Sequence, residues 1–152
     1  MIHYIHLRTI AQATEDPEKV RSALKLLLPP PGQLAKKDSI TVHETVTTGY
    51  HGNSIIVMEA ELKKNKDCQY VVDRITEHLG PAGISQLAAE LPQRVDDDCT
   101  LYIRFNKQEA YLGKLMTTTK SDSILVRIKI KAYPARADKA IQVALSLLGE
   151  GD

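Results

Sequence analysis

Four groups of residues in this 152-residue chain have types that could do chemistry. The first is His3-x-x-His6, an imidazole pair. In a strand, positions three apart face opposite ways, so this pair cannot close on one metal ion. The second is the run Asp96-Asp97-Asp98, whose carboxylates suit a hard cation. No spaced set of further ligands accompanies it, and the other reading is a solvated turn before a strand. The third is His43-Glu44 with Ser54, where nothing in the sequence sets a base beside the hydroxyl. The last is the thiol pair, Cys68 and Cys99, 31 positions apart. Without a C-x-x-C pair they exclude a disulfide scaffold and a cysteine-rich zinc module, and two reduced thiols suit the cytoplasm. No catalytic set, metal site or cofactor is expected.

Cations interleaved with rings form a stronger signal. The formal charge of the whole chain is only +1, yet it is unevenly spread. Between residues 102 and 139 nine basic residues face three acids, whereas residues 59–98 carry nine acids against five bases. A basic C-terminal third suggests a phosphate backbone as partner. The candidates for phosphate are Arg104, Lys107, Lys114, Arg127, Lys129, Lys131 and Arg136. Tyr102 and Tyr133 are candidates for stacking on bases. Lys107-Gln108 at a strand-to-helix junction suits contacts to phosphate and sugar hydroxyls, with an ordinary charged helix start as the rival reading. In the turn Gly49-Tyr50-His51-Gly52-Asn53, His51 and Asn53 add hydrogen-bonding groups. It is not a nucleotide-binding phosphate loop, because a strand and not a helix follows. The two glycines also fit a plain hairpin turn.

The elements that position these groups follow from periodicity. Residues 2–13 read as a strand with Ile5, Leu7 and Ala11 on one face and Tyr4, His6 and Arg8 on the other. Asp16-Pro17 starts a helix that Pro29 ends. Residues 39–48 and 53–63 read as a hairpin, its second arm turning Ile56, Met58, Ala60 and Leu62 inward and Glu59 and Glu61 outward. A helix from about residue 67 stops at Gly80-Pro81, and a shorter one covers about 83–91. Strands follow at 99–105 and 123–133, with a short helix over 107–114 and a final helix over about 135–148. Glu44 breaks the pattern, since it falls on the apolar side of its strand with Ile40, Val42 and Val46.

The expected fold class is α+β: one domain over residues 1–152, an antiparallel or mixed sheet of about five strands, and helices packed on one face. The other face then carries Tyr4, His6, Arg8, Thr41, His43, Thr45, Tyr102, Arg104, Arg127, Lys129, Lys131 and Tyr133. Such a face binds nucleic acid or is simply solvated, and strand order decides whether its cations are neighbours. No apolar run approaches the ~18 residues of a membrane span, and no secretory leader is visible at the N-terminus. A cytoplasmic protein without membrane contact is expected.

Several stretches are similar to a family of small archaeal RNA-binding proteins described as predicted exosome subunits. They are residues 13–20, His51-Gly52-Asn53, residues 101–113 with the segment F-N-K-Q-E-A-Y-L-G from Phe105 to Gly113, and Ala132-Tyr133-Pro134-Ala135. Asn106 stands where the family commonly has aspartate. The resemblance implies a fold like that of the ribosomal protein carrying 5S RNA, and it favours Arg104, Lys107, Gln108, His51 and Asn53 as site residues. It implies a non-catalytic RNA-binding protein in RNA processing or degradation, with RNA and the exosome as partners. The alternative is a structural or assembly protein whose open face meets a protein partner or a second copy, as a homodimer.

Overall fold

The computed structural model describes residues 1–36, 40–49 and 52–150. Its elements are β1 (Ile2–Ala11), α1 (Pro17–Lys25), β2 (Val42–Thr48), β3 (Ser54–Leu62), α2 (Asn65–Arg94), β4 (Thr100–Phe105), α3 (Lys107–Tyr111), β5 (Ile124–Ile130) and α4 (Ala137–Leu147). The strands form one sheet in the order β2-β3-β1-β5-β4, and every neighbouring pair is antiparallel. The architecture is α+β, as the alternation predicts.

Period-2 patterning produces the two faces. Ile5 and Leu7 of β1 lie beside Leu62 and Ala60 of β3 and Ile128 and Val126 of β5, and all six are buried. Leu101, Ile103 and Phe105 of β4 extend the same apolar face. Val72 and Ile75 of α2 and Ala144 and Leu148 at α4 close over it. Each large side chain removed from water here contributes about 1.5–3 kcal/mol, so this face is what fixes the register.

The local signals for the helices are also realised. Asp16 caps α1, its carboxylate accepting from Glu18 N at 3.0 Å, with Pro17 at the first helical position. Asn106 caps α3, accepting from Glu109 N at 3.0 Å, so the family's usual aspartate is not needed for that bond. The long α2 is two helices meeting at Gly80, where φ of 66° breaks the helical path at the expected Gly-Pro stop. Its second half runs past the expected end, through Pro92 to Arg94.

Two expectations change. The β1–β5 ladder slips between Ile2 and Tyr4, so His3 and Tyr4 both sit between the buried Ile2 and Ile5. Simple alternation therefore fails at His3 and does not separate it from His6. Glu44, opposite Met58 on the helix-bearing side, has its explanation in α1. Arg21 donates to both of its carboxylate oxygens, Nε to Oε2 at 2.5 Å and Nη2 to Oε1 at 2.7 Å.

This pair sets a pH dependence. The Arg21 hydrogen bonds hold the Glu44 carboxyl below its ordinary value of 4.5, so the folded chain binds that proton more weakly than the unfolded one. The pair therefore stabilises the fold above the unfolded carboxylate range, and its contribution is lost as pH falls through the folded pKa. Arg21→Gln is expected to lower stability modestly at neutrality, where the pair contributes fully, and to move the midpoint of acid unfolding to higher pH. Circular dichroism against pH checks this, and an unchanged acid midpoint would contradict it.

Candidate nucleic-acid interface

The sheet face turned away from the helices presents side chains in rows set by the register. One row is Tyr4, Lys129 and Thr100, from β1, β5 and β4. The next is Glu61, His6, Arg127 and Tyr102, running from β3 to β4. The third crosses all five strands as His43, Glu59, Arg8, Leu125 and Arg104. Adjacent strands lie about 4.8 Å apart, so the four cations Arg8, Arg104, Arg127 and Lys129 form one cluster over β1, β5 and β4. Two shallow depressions mark it. One of about 310 Å³ is lined by Tyr4, His6, Tyr102, Arg127 and Lys129 with Glu61 and Asp98. The other, about 350 Å³, lies between Arg8 and Arg104 and reaches Ser121 and Asp122.

Hydrogen bonds hold Arg104, Arg127 and Lys129 without neutralising them. Arg127 Nη2 donates to His6 Nδ1 at 3.1 Å. A guanidinium can only donate, so Nδ1 is the acceptor and His6 Nε2 carries the hydrogen directed at Glu59 Oε2, 2.8 Å away. Arg104 Nη1 donates to Ser121 O at 3.3 Å and Ser123 Oγ at 3.2 Å. Lys129 Nζ donates to the Asp98 carbonyl. Among the described residues, none of the four is within ion-pair distance of a carboxylate. Arg127 Nε is in addition buried with no hydrogen-bond partner among them.

The face is not purely basic. Glu59 and Glu61 of β3 share it, and the Tyr102 hydroxyl donates to Asp96 Oδ2 at 2.9 Å. That hydrogen bond pushes the Tyr102 phenol up from its ordinary value. Partial burial pushes the Asp96 carboxyl up, but hydrogen bonds from Thr100 N, the Tyr102 hydroxyl and Asp98 N, with the nearby Lys129 charge, bring it below its ordinary value. The run 96–98 is thus a hydrogen-bonded turn leading into β4.

The remaining candidates lie elsewhere. Lys107 is 3% exposed and sits beneath the surface, bonded to Ile10 O and Glu15 Oε1, each at 2.8 Å, and to Asp122 Oδ1 at 2.6 Å. Its charge is committed inside the protein, so its geometry is that of a scaffold cation and not of a phosphate contact. Gln108 is exposed on a cleft of about 340 Å³ between α1 and α3, where Lys19 Nζ lies 5.3 Å from the centre of the Tyr111 ring. Lys114 is exposed just beyond α3. Lys131 is exposed one residue past the end of β5 and continues the line of Arg127 and Lys129. Tyr133 lies three residues beyond the strand, where alternation no longer assigns a face. It is 98% exposed and lines a groove with Met1 and α4, apart from Tyr102. Arg136 precedes α4 and pairs with Asp138 at 3.1 Å. Asn53 sits in the β2–β3 turn, and β3 is separated from β5 by β1. His51 lies outside the described residues.

Tyr4 and Arg8 are central to the cluster. Their alternation placed them on this face, but only the strand order makes them neighbours of Arg127 and Arg104. Cys68 offers no rival chemistry: it is buried, donates to Leu62 O at 3.3 Å, and burial pushes its thiol up to about 11. Among the described residues no helix is long and apolar enough to cross a membrane.

Residues 4–130, which take in all four cations of the cluster, match the protein family described as RNA binding. The chain belongs to that family. An RNA-binding protein of Pyrococcus abyssi is 37% identical over 99% of this chain and 95% of its own length. A crystal structure of a protein from Archaeoglobus fulgidus superposes with a TM-score of 0.82 at 28% identity, covering 97% of this chain and 99% of the other. A DUF54 protein of Methanothermobacter thermautotrophicus gives a TM-score of 0.77 at 29% identity, covering 97% and 98%.

Proposed function

We propose that this chain is a non-catalytic RNA-binding protein whose interface is the open sheet face over β1, β5 and β4. The observation that carries the reading is the cluster of Arg8, Arg104, Arg127 and Lys129, none ion-paired among the described residues and set beside Tyr4 and Tyr102. Cations at this spacing neutralise phosphates, and the ring surfaces beside them suit bases. Family membership and the Pyrococcus relative's name support the same reading.

Binding of this kind releases counterions. Four neutralised phosphates give a slope of about −3 in log affinity against log salt for a single strand. Anisotropy titrations of labelled RNA between about 50 and about 200 mM salt measure it. A flat response, or no binding in low salt, would overturn the electrostatic interface.

The role extends to RNA processing or degradation alongside the exosome, a reading supported by the motif resemblance in residues 105–113. Affinity purification from native cells, with and without ribonuclease, tests it by mass spectrometry. Exosome subunits absent from both samples would remove that part and leave RNA binding standing.

A further inference from the structure

We infer that the open face takes single-stranded RNA laid along β5 and rejects duplex RNA; the inference rests on the RNA-binding reading above. β5 presents Arg127 and Lys129 on this face at alternate positions, with exposed Lys131 continuing the line. Alternate residues of a strand recur about every 6.7 Å, which makes a cationic rail one polynucleotide strand can follow. The rail has acids on both sides. Glu59 and Glu61 stand on β3, two strand spacings or about 9.6 Å from β5. On the β4 side, Asp98 lines the same depression as Arg127 and Lys129, and the Asp96 carboxylate holds the Tyr102 hydroxyl.

From β3 to β4 the sheet spans three strand spacings, about 14 Å. An A-form duplex is wider, so seating one strand on the rail sets phosphates of the duplex above Glu59 and Glu61 or above Asp98. Like charges brought together at an interface select against that partner. A single strand fits between the acids. It also brings unstacked bases to the half-buried rings of Tyr4 and Tyr102, which a duplex keeps paired and stacked.

The test compares a labelled, unstructured RNA of about 12 nucleotides with a blunt duplex of the same length, by anisotropy at low salt. The single strand is expected to bind at least about tenfold tighter, the discrimination of roughly one unfavourable charge contact. Glu61→Gln combined with Asp98→Asn is expected to tighten duplex binding until the ratio falls to about threefold or less, with single-strand affinity little changed. These positions spare the fold: both residues are exposed, and among the described residues the Glu61 side chain pairs only with neighbouring Lys63, at 3.6 Å. Equal binding of duplex and single strand, or a ratio that the double variant leaves unchanged, overturns this inference and leaves RNA binding intact. Failure of both RNAs to bind overturns both readings.

Discussion

Lys107→Ala is expected to lower the thermal unfolding midpoint by about 5–12 °C while leaving RNA affinity of the folded protein within about threefold. The side chain of Lys107 is 2% exposed and neutralises two carboxylates at once, Glu15 at 2.8 Å and Asp122 at 2.6 Å. The same ammonium satisfies the carbonyl of Ile10 near the end of β1. Removing it strands two acids and an acceptor around a cavity. A fully buried pair broken in this way costs about 3–5 kcal/mol. Glu15 and Asp122 keep 21% and 53% of their side-chain exposure, so water recovers part of that, and about 2–4 kcal/mol is the fitting range. Thermal melting by circular dichroism and anisotropy at low temperature separate the two effects. An unchanged midpoint with lost RNA binding would reverse the assignment and make Lys107 an RNA contact.

Lys107 also illustrates where sequence reasoning reaches its limit. Its partners lie 92 residues before it and 15 after it, so no local pattern distinguishes it from a surface lysine. What was legible was local. Alternation assigned Ile5, Leu7, Met58, Ala60, Ile103 and Val126 to the core, and all are buried. Asp16-Pro17 and Gly80-Pro81 marked a helix start and a break because caps and positive φ depend on residues close in the chain. Strand order depends on contacts far apart in sequence, and the site depends on strand order. Placing β1 between β3 and β5 brings Arg8 near Arg127, and also sets Glu59 and Glu61, outward by alternation, beside those cations. Glu44 looked like a fault in β2 until Arg21 of α1 supplied its partner. Alternation carried through residue 133 puts Tyr133 on the face, and Arg136 is a phosphate candidate only by its place in the basic third. The strand ends at Ile130, and beyond it the chain turns toward α4.

That division gives the sharpest test of the interface. Arg127→Glu with Lys129→Glu is expected to weaken single-stranded RNA binding about 100-fold or more at low salt, since each reversal replaces an attraction with a repulsion at the centre of the rail. Losing two phosphate contacts should also flatten the log–log salt slope by about 1.4. Arg136→Glu makes the same kind of charge change in the same basic third of the chain. Its guanidinium is already paired with Asp138 at the start of α4, so it is expected to change affinity by less than about threefold. A glutamate at position 127 would meet Glu59 through His6, which puts the fold at risk. Arg127→Gln with Lys129→Gln retains hydrogen-bonding capacity without charge and should still lose about tenfold or more, with a melting temperature close to that of the parent chain. If Arg136→Glu weakens binding as much as the β5 reversals do, affinity follows the net charge of the chain and not the arrangement of its sheet. If only the β5 variants fail, the order β3-β1-β5-β4 is what turns scattered basic residues into an RNA-binding surface.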